Sequence, residues 1–251
     1  NCNFAIIKNV TIKNCWGDGI YLGSENASTG ENGCANVSII NCLIDNNRRN
    51  GISIINCDNF NIDGCTISNA NGTNPQCGID IERNTVTEIT HGTIKNCTFI
   101  DNHFSHIQQE NSSDNNTIEN CTFKSINRNG SSDIECKTKK LTITNCVSNP
   151  SKRSTLICNG GEIECFNHIA VDSNTDGSAS YDAFIYSING GTFNIYNCYA
   201  ASHNNKWRGM YVDKGTVNIY NSQFPTNRYH ASSTVISGCN PIEISGNYDL
   251  A

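Results

Sequence analysis

A short motif, apolar–any–apolar–any–Asn–Cys, recurs along this chain and leaves few folds open to it. It reads Val10-Thr11-Ile12-Lys13-Asn14-Cys15, then Val37-Ser38-Ile39-Ile40-Asn41-Cys42, then Phe60-Asn61-Ile62-Asp63-Gly64-Cys65. It returns at Asn96-Cys97, Asn120-Cys121, Asn145-Cys146 and Asn197-Cys198, and with a changed last position at Asn167-His168 and Asn221-Ser222. Successive copies lie 22 to 32 residues apart. Within a copy the hydrophobic period is two, which is a strand with one face in and one face out. The copies are too short, and too rich in Ile, Val, Thr and Phe, for helices. A propeller blade needs about 40 residues and four antiparallel strands, and a leucine-rich repeat needs a Leu frame that is missing. The pattern therefore predicts an all-β, right-handed parallel β-helix over residues 1–251, a solenoid with three short strands per coil. Roughly nine to ten coils stacked about 4.8 Å apart make a rod about 45 Å long.

The two fixed residues of the motif have physical uses in such a coil. Asn tolerates the left-handed backbone of a tight bend. Asn side chains stacked from coil to coil can also bond to one another. The Cys that follows begins the next strand facing inward, as in Cys97-Thr98-Phe99, where a thiol is a small hydrophobe. The fifteen cysteines are thus expected to be free core thiols, since no Cys-X-X-Cys spacing suggests zinc. That many thiols suggests folding in a reducing cytoplasm.

The chain carries 17 Lys and Arg against 23 Asp and Glu, a net charge of −6. It lacks the basic stripe of a nucleic-acid binder. No run of about 18 apolar residues marks a membrane span. The first residues, Asn1 to Ile7, already read as strand, so the chain is expected to be a fragment or mature domain of a longer protein.

A second strand follows a variable loop in each coil and carries the candidate chemistry. It reads Gly78-Ile79-Asp80-Ile81-Glu82, then His106-Ile107-Gln108-Gln109-Glu110, then Asp133-Ile134-Glu135-Cys136-Lys137. If the Ile residues point in, Asp80 and Glu135 share one outward column with Gln108, and Glu82, Glu110 and Lys137 share the next. Like charges stacked on adjacent strands destabilise a sheet. Crowding also raises a carboxyl pKa, which a general acid needs. Neighbouring acids at these spacings bracket the carboxylate separations of retaining and inverting glycoside hydrolases. Asp80, Glu82, Glu110 and Glu135 are therefore the candidate catalytic residues, and the bland alternative is an acidic face partly neutralised by Lys137 and Arg83. Tyr21, Trp207, Arg208 and Tyr211 are candidates for stacking on sugar rings. His106, just ahead of the Glu110 strand, is a further candidate for substrate contact. The loops over 24–35, 68–76 and 173–180 are polar and are expected to wall a groove beside the acidic strands.

The Asn-Cys ladder, Trp16-Gly17-Asp18-Gly19-Ile20-Tyr21-Leu22 and Cys77-Gly78-Ile79-Asp80-Ile81-Glu82-Arg83-Asn84 resemble pectate-lyase-like β-helices. The second segment is most similar to those of bacteriophage tailspikes and gut-bacterial carbohydrate-active proteins. The resemblance implies a polysaccharide partner, a bacterial-surface or plant glycan, and an outward sheet bearing catalytic carboxylates. It implies a virion-tail or extracellular setting and a homotrimer. The Asp-Asp and Gly-His-Gly motifs of polygalacturonases are missing, as is a clear lyase set of Asp ligands plus an Arg base. Three activities stay open: a glycan hydrolase without cofactor, a lyase or epimerase in which the acids hold Ca²⁺ and Lys137 or Arg83 meets a uronate, and a non-catalytic binding shaft.

Overall fold

The computed structural model describes residues 2–24, 33–83, 91–110, 113–127, 132–151, 154–172, 183–202, 208–224, 229–231 and 234–235. These form a right-handed parallel β-helix with three sheets. The ladder sheet has eleven strands and contains the motif strands, such as Cys34–Ile40, Cys57–Asp63 and Thr93–Lys95. The third sheet has eight, beginning at Thr11–Lys13 and including Leu43–Asp45 and Thr98–Ile100. The acidic sheet has nine, running from Ile20–Leu22 through Ile79–Glu82, Ser105–Glu110 and Ser132–Cys136 to Tyr229–Ala231. No helix among the described residues is long and apolar enough to cross a membrane.

The corner between the ladder sheet and the third sheet is constant. Two residues separate the strands at every coil, as from Ile40 to Leu43 and from Tyr196 to Tyr199. The first of the two takes a left-handed backbone. At Asn9, Asn41, Asn96, Asn120, Asn145, Asn167, Asn197 and Asn221 φ lies between 46° and 58°, and at Gly64 it is 66°. Asn occupies this conformation at little cost and Gly at none.

Register corrects one motif assignment. Thr11, Ile12 and Lys13 pair with Leu43, Ile44 and Asp45, so Val10 to Cys15 lies in the third sheet. The ladder strand of the first coil is Ile6–Lys8, which pairs with Ser38 to Ile40. Its corner is Asn9-Val10. The alternation apolar–any–apolar followed by a polar bend also describes third-sheet strands, and this copy fits both.

The interior is filled by stacked Ile, Val, Phe and Cys side chains, for example Ile39, Ile62, Ile94 and Ile118 on the ladder sheet. Phe99 and Phe123 stack with ring centroids 5.2 Å apart. The fourteen described cysteines are free thiols. Those at the corner do more than fill space. The N–H of Cys42 donates to Sγ of Cys65, Cys65 to Cys97, Cys121 to Cys146 and His168 to Cys198, each at 3.4 Å. Each thiol in turn donates to the carbonyl two residues back, as Cys97 to Lys95 at 3.1 Å and Cys146 to Thr144 at 3.3 Å. The sulfur thus satisfies a buried corner N–H that no ladder carbonyl reaches. Ser222 performs the same two bonds at 2.9 Å and 2.8 Å, which explains the substitution there.

On the outward side of the ladder sheet Phe166, Tyr196 and Tyr220 stack face to face, with centroids 4.7 and 4.6 Å apart. Their faces cover one another, so the column stiffens the sheet and offers little open ring surface.

Candidate functional site

The site is built on three consecutive strands of the acidic sheet. Ile79, Ile107 and Ile134 pair across them and point into the core. Asp80 therefore pairs with Gln108 and Gln108 with Glu135, all on the outward side. Two residues on, Glu82 pairs with Glu110. Lys137 lies alongside Glu110, its N–H bonded to the Gln109 carbonyl at 2.8 Å. The two outward columns expected from alternation are the ones observed. Gly78 lets the strands approach at their start, because a Cβ there would sit 2.5 Å from the carbonyl oxygen of His106.

The outward face is layered rather than uniformly solvated. Asp80 is 0% exposed, and Gln108 and Glu135 are also buried. Glu82 is half-buried, and the side chains of Glu110 and Lys137 are 19% and 28% exposed. Asn50, from the preceding coil, covers Asp80 and donates Nδ2 to its Oδ2 at 3.1 Å. Gln108 Nε2 donates to Asp80 Oδ1 at 3.4 Å and also to Glu110 Oε1. The two carboxylates therefore flank one amide nitrogen. Lys137 Nζ binds Glu110 Oε1 and lies 4.0 Å from Glu135 Oε1.

Charge is correspondingly displaced. Burial, then the Glu82 and Glu110 charges, push the Asp80 carboxyl up to about 7, against the opposing pull of Arg49 and Asn50. Burial also raises Glu135, with Lys137 opposing. Lys137 is raised by its Glu110 and Glu135 partners despite partial desolvation. Near neutral pH the cluster holds a proton that isolated carboxyls would have lost. Glu135 Oε2 and Gln108 Oε1 are buried acceptors without a hydrogen-bond partner. Among the described residues no three His, Cys, Asp or Glu side chains converge as a metal-binding set.

The remaining candidates fall in different places. Tyr21 is 56% exposed and shares a column with Ser53 and Asp80. Tyr211 shares the same column farther along, edge-on to Tyr186 with centroids 4.8 Å apart. Arg83 is half-buried just past the end of strand Ile79–Glu82. Arg208 lies on strand Arg208–Val212, whose backbone alone is described at that residue, and Trp207 lies outside the described residues, as do 25–32 and 173–182. His106 requires a correction. It is buried against Phe99 and Phe123, turned into the corner between sheets, and cannot meet a ligand on the acidic face. Alternation fails at this first turn of the strand because the chain is still leaving the bend.

His106 does sit among Ser125 and Asp133, but its proton is in the wrong place for a nucleophilic triad. The Asn102 amide is oriented by the Ala70 N–H on its Oδ1 and by its own bond to the Ile67 carbonyl, each 3.1 Å. Its Nδ2 therefore donates to His106 Nδ1 at 3.1 Å, leaving the ring proton on Nε2, toward Ser125 Oγ at 3.2 Å. Burial lowers His106 to about 4, so it stays neutral and structural.

Sequence reasoning missed Asn50, which bonds to Asp80 across 30 residues of chain, and Arg49, whose charge opposes the rise at Asp80. It also missed Tyr186, which a full reading of the column would have found.

Comparison with known proteins agrees with this architecture. The model of the right-handed β-helix region matches residues 1–198. The uncharacterised protein YclG of Bacillus subtilis strain 168 is 33% identical over 108 residues, 41% of this chain and 18% of that one. In structure, the tailspike protein gp49 of Pseudomonas phage LKA1 superposes with a TM-score of 0.51 over 88% of this chain and 44% of its own, at 10% identity, a likeness of fold. The chain spans less than half the length of either protein. The coil repeat, its three parallel sheets and the matched family pattern together make this chain a member of the right-handed β-helix family.

Proposed function

We propose that this chain binds a polysaccharide along the outward side of the acidic sheet and hydrolyses it there, in a virion-tail or extracellular setting. The observation that carries the reading is a four-carboxyl cluster on two adjacent outward columns, with one member, Asp80, held at about 7. Glu82 and Glu110 are the members that reach the surface, and they pair across adjacent strands. They are the groups placed to touch the sugar, and Glu110 is fixed there by Lys137. Asp80 and Glu135 lie beneath and set the charge of the pair. A stack of like charges kept on one face is costly for a purely structural sheet.

The test is to incubate the protein with a panel of bacterial capsular and plant glycans and to size the fragments. Glu82→Gln and Glu110→Gln should each lower turnover at least a hundredfold while the far-ultraviolet circular dichroism stays unchanged. Wild-type rates in both variants would remove the assignment. Unsaturated products that absorb in the ultraviolet and vanish with a chelator would instead indicate a lyase using Ca²⁺.

One observation favours a second reading, a binding shaft without turnover. The two acids raised most clearly, Asp80 and Glu135, are both buried. Retention on a glycan column with no shortening of the glycan would support it.

A further inference from the structure

Trp16 is the most exposed large apolar side chain among the described residues, at 83%. It stands in the corner between strands Thr11–Lys13 and Ile20–Leu22, at the edge of the acidic sheet. Arg48, in the equivalent corner one coil on, lays its guanidinium over the indole, 4.0 Å from the ring centroid. The two corners are joined by backbone bonds, Arg48 N–H to the Cys15 carbonyl at 3.0 Å and Arg49 N–H to the Gly17 carbonyl at 3.1 Å. Arg49 is paired with Asp18 at 2.9 Å. Arg48 has no carboxylate partner among the described residues and is exposed.

One indole face is covered by a cation and the other is open. Arg48 is exposed, so its N–H fork, of the shape that matches a carboxylate, is accessible from solvent. Stacking and backbone bonds hold both groups before a ligand arrives, which lowers the ordering cost of binding. The Phe166–Tyr196–Tyr220 stack, with its faces covered, offers nothing comparable. The corner is also wired to the acid cluster. Asn50 N–H donates to Asp18 Oδ1 at 3.0 Å and Asn50 Nδ2 to Asp80 Oδ2 at 3.1 Å.

We propose that Trp16 and Arg48 form a subsite for a carboxylate-bearing sugar. The apolar face of the pyranose stacks on the open side of Trp16, and the carboxylate takes the Arg48 edge. The proposal rests on the polysaccharide reading above and narrows it to acidic glycans, with this subsite at the Tyr21 end of the acidic column.

The test uses the full chain, with Trp16→Phe as the control that isolates the Trp16 part of the fluorescence. Tetramers of galacturonate, glucuronate and mannuronate are titrated beside their carboxyl-reduced counterparts. At least one acidic tetramer should shift or quench the emission, and carboxyl reduction or Arg48→Ala should weaken it about tenfold or more. Raised salt should weaken it as well. No response to any acidic tetramer, or equal binding by reduced sugars or by Arg48→Ala, overturns the proposal. A Trp16 response without glycan cleavage would refute the hydrolase reading and leave the subsite standing. Cleavage of neutral glycans with a silent Trp16 would do the reverse.

Discussion

Replacing Cys146 separates two accounts of the cysteine column. If the thiol were only a small hydrophobe, alanine would cost little more than the lost sulfur, about 1 kcal/mol, and serine would be the worse substitute. The structure makes a different forecast. Cys146 is wholly buried, accepts the Cys121 N–H at 3.4 Å and donates to the Thr144 carbonyl at 3.3 Å. Alanine leaves that buried N–H without an acceptor, at about 1–3 kcal/mol, in addition to the lost packing. Serine keeps both bonds, as Ser222 does at the same corner position three coils on. Cys146→Ala should therefore cost about 2–4 kcal/mol and Cys146→Ser about 1. Urea unfolding followed by circular dichroism under reducing conditions reads the difference as a shift in midpoint. The reciprocal exchange, Ser222→Cys, should be close to neutral. A Cys146→Ala protein as stable as Cys146→Ser would refute the hydrogen-bond account.

Three further outcomes follow from the charge distribution. The Asp80 carboxyl titrates at about 7 when folded against 3.8 in the open chain, so the folded form holds the extra proton between those values. Stability should fall as pH rises from about 4 to 8, by up to about 4 kcal/mol relative to Asp80→Asn, measured as unfolding midpoints at both ends; parallel profiles for the two proteins would contradict it. His106 and His168 are both lowered to about 4 by burial, so the unfolded chain takes up these protons first and acidification from about 6.5 to 4 should destabilise the fold. Their ring resonances should titrate near pH 4, and titration near 6.5 in the folded protein would count against the burial argument. Lys137→Met removes the countercharge from Glu110 and Glu135, so the variant should lose more stability at pH 8 than at pH 5 in thermal melts.

Much of the fold was legible because period two is a strong signal when it recurs in register. Alternation alone places Asp80, Gln108 and Glu135 in one column and Glu82 with Glu110 in another, as observed. It does not reveal depth. Asp80 is buried because Asn50 and Gln108 close over it, and Asn50 comes from a corner whose length varies from coil to coil. His106 shows where alternation stops applying, at the start of a strand just after a bend. Val10 to Cys15 shows that one motif can satisfy two sheets, with only pairing to separate them. The Trp16–Arg48 contact joins residues 32 apart in sequence, and nothing in either local segment announces it.

The invariant two-residue corner determines where this molecule can change. Variation in coil length falls chiefly in the other two connections, which range from two residues, as between Ser151 and Ser154, to eleven, as between Leu22 and Cys34. Both of those connections border the acidic sheet. Insertions thus enlarge the rims of one face and leave the opposite edge as an unaltered spine. Ligand preference can be rewritten one coil at a time, without renegotiating the pairing of the strands above and below.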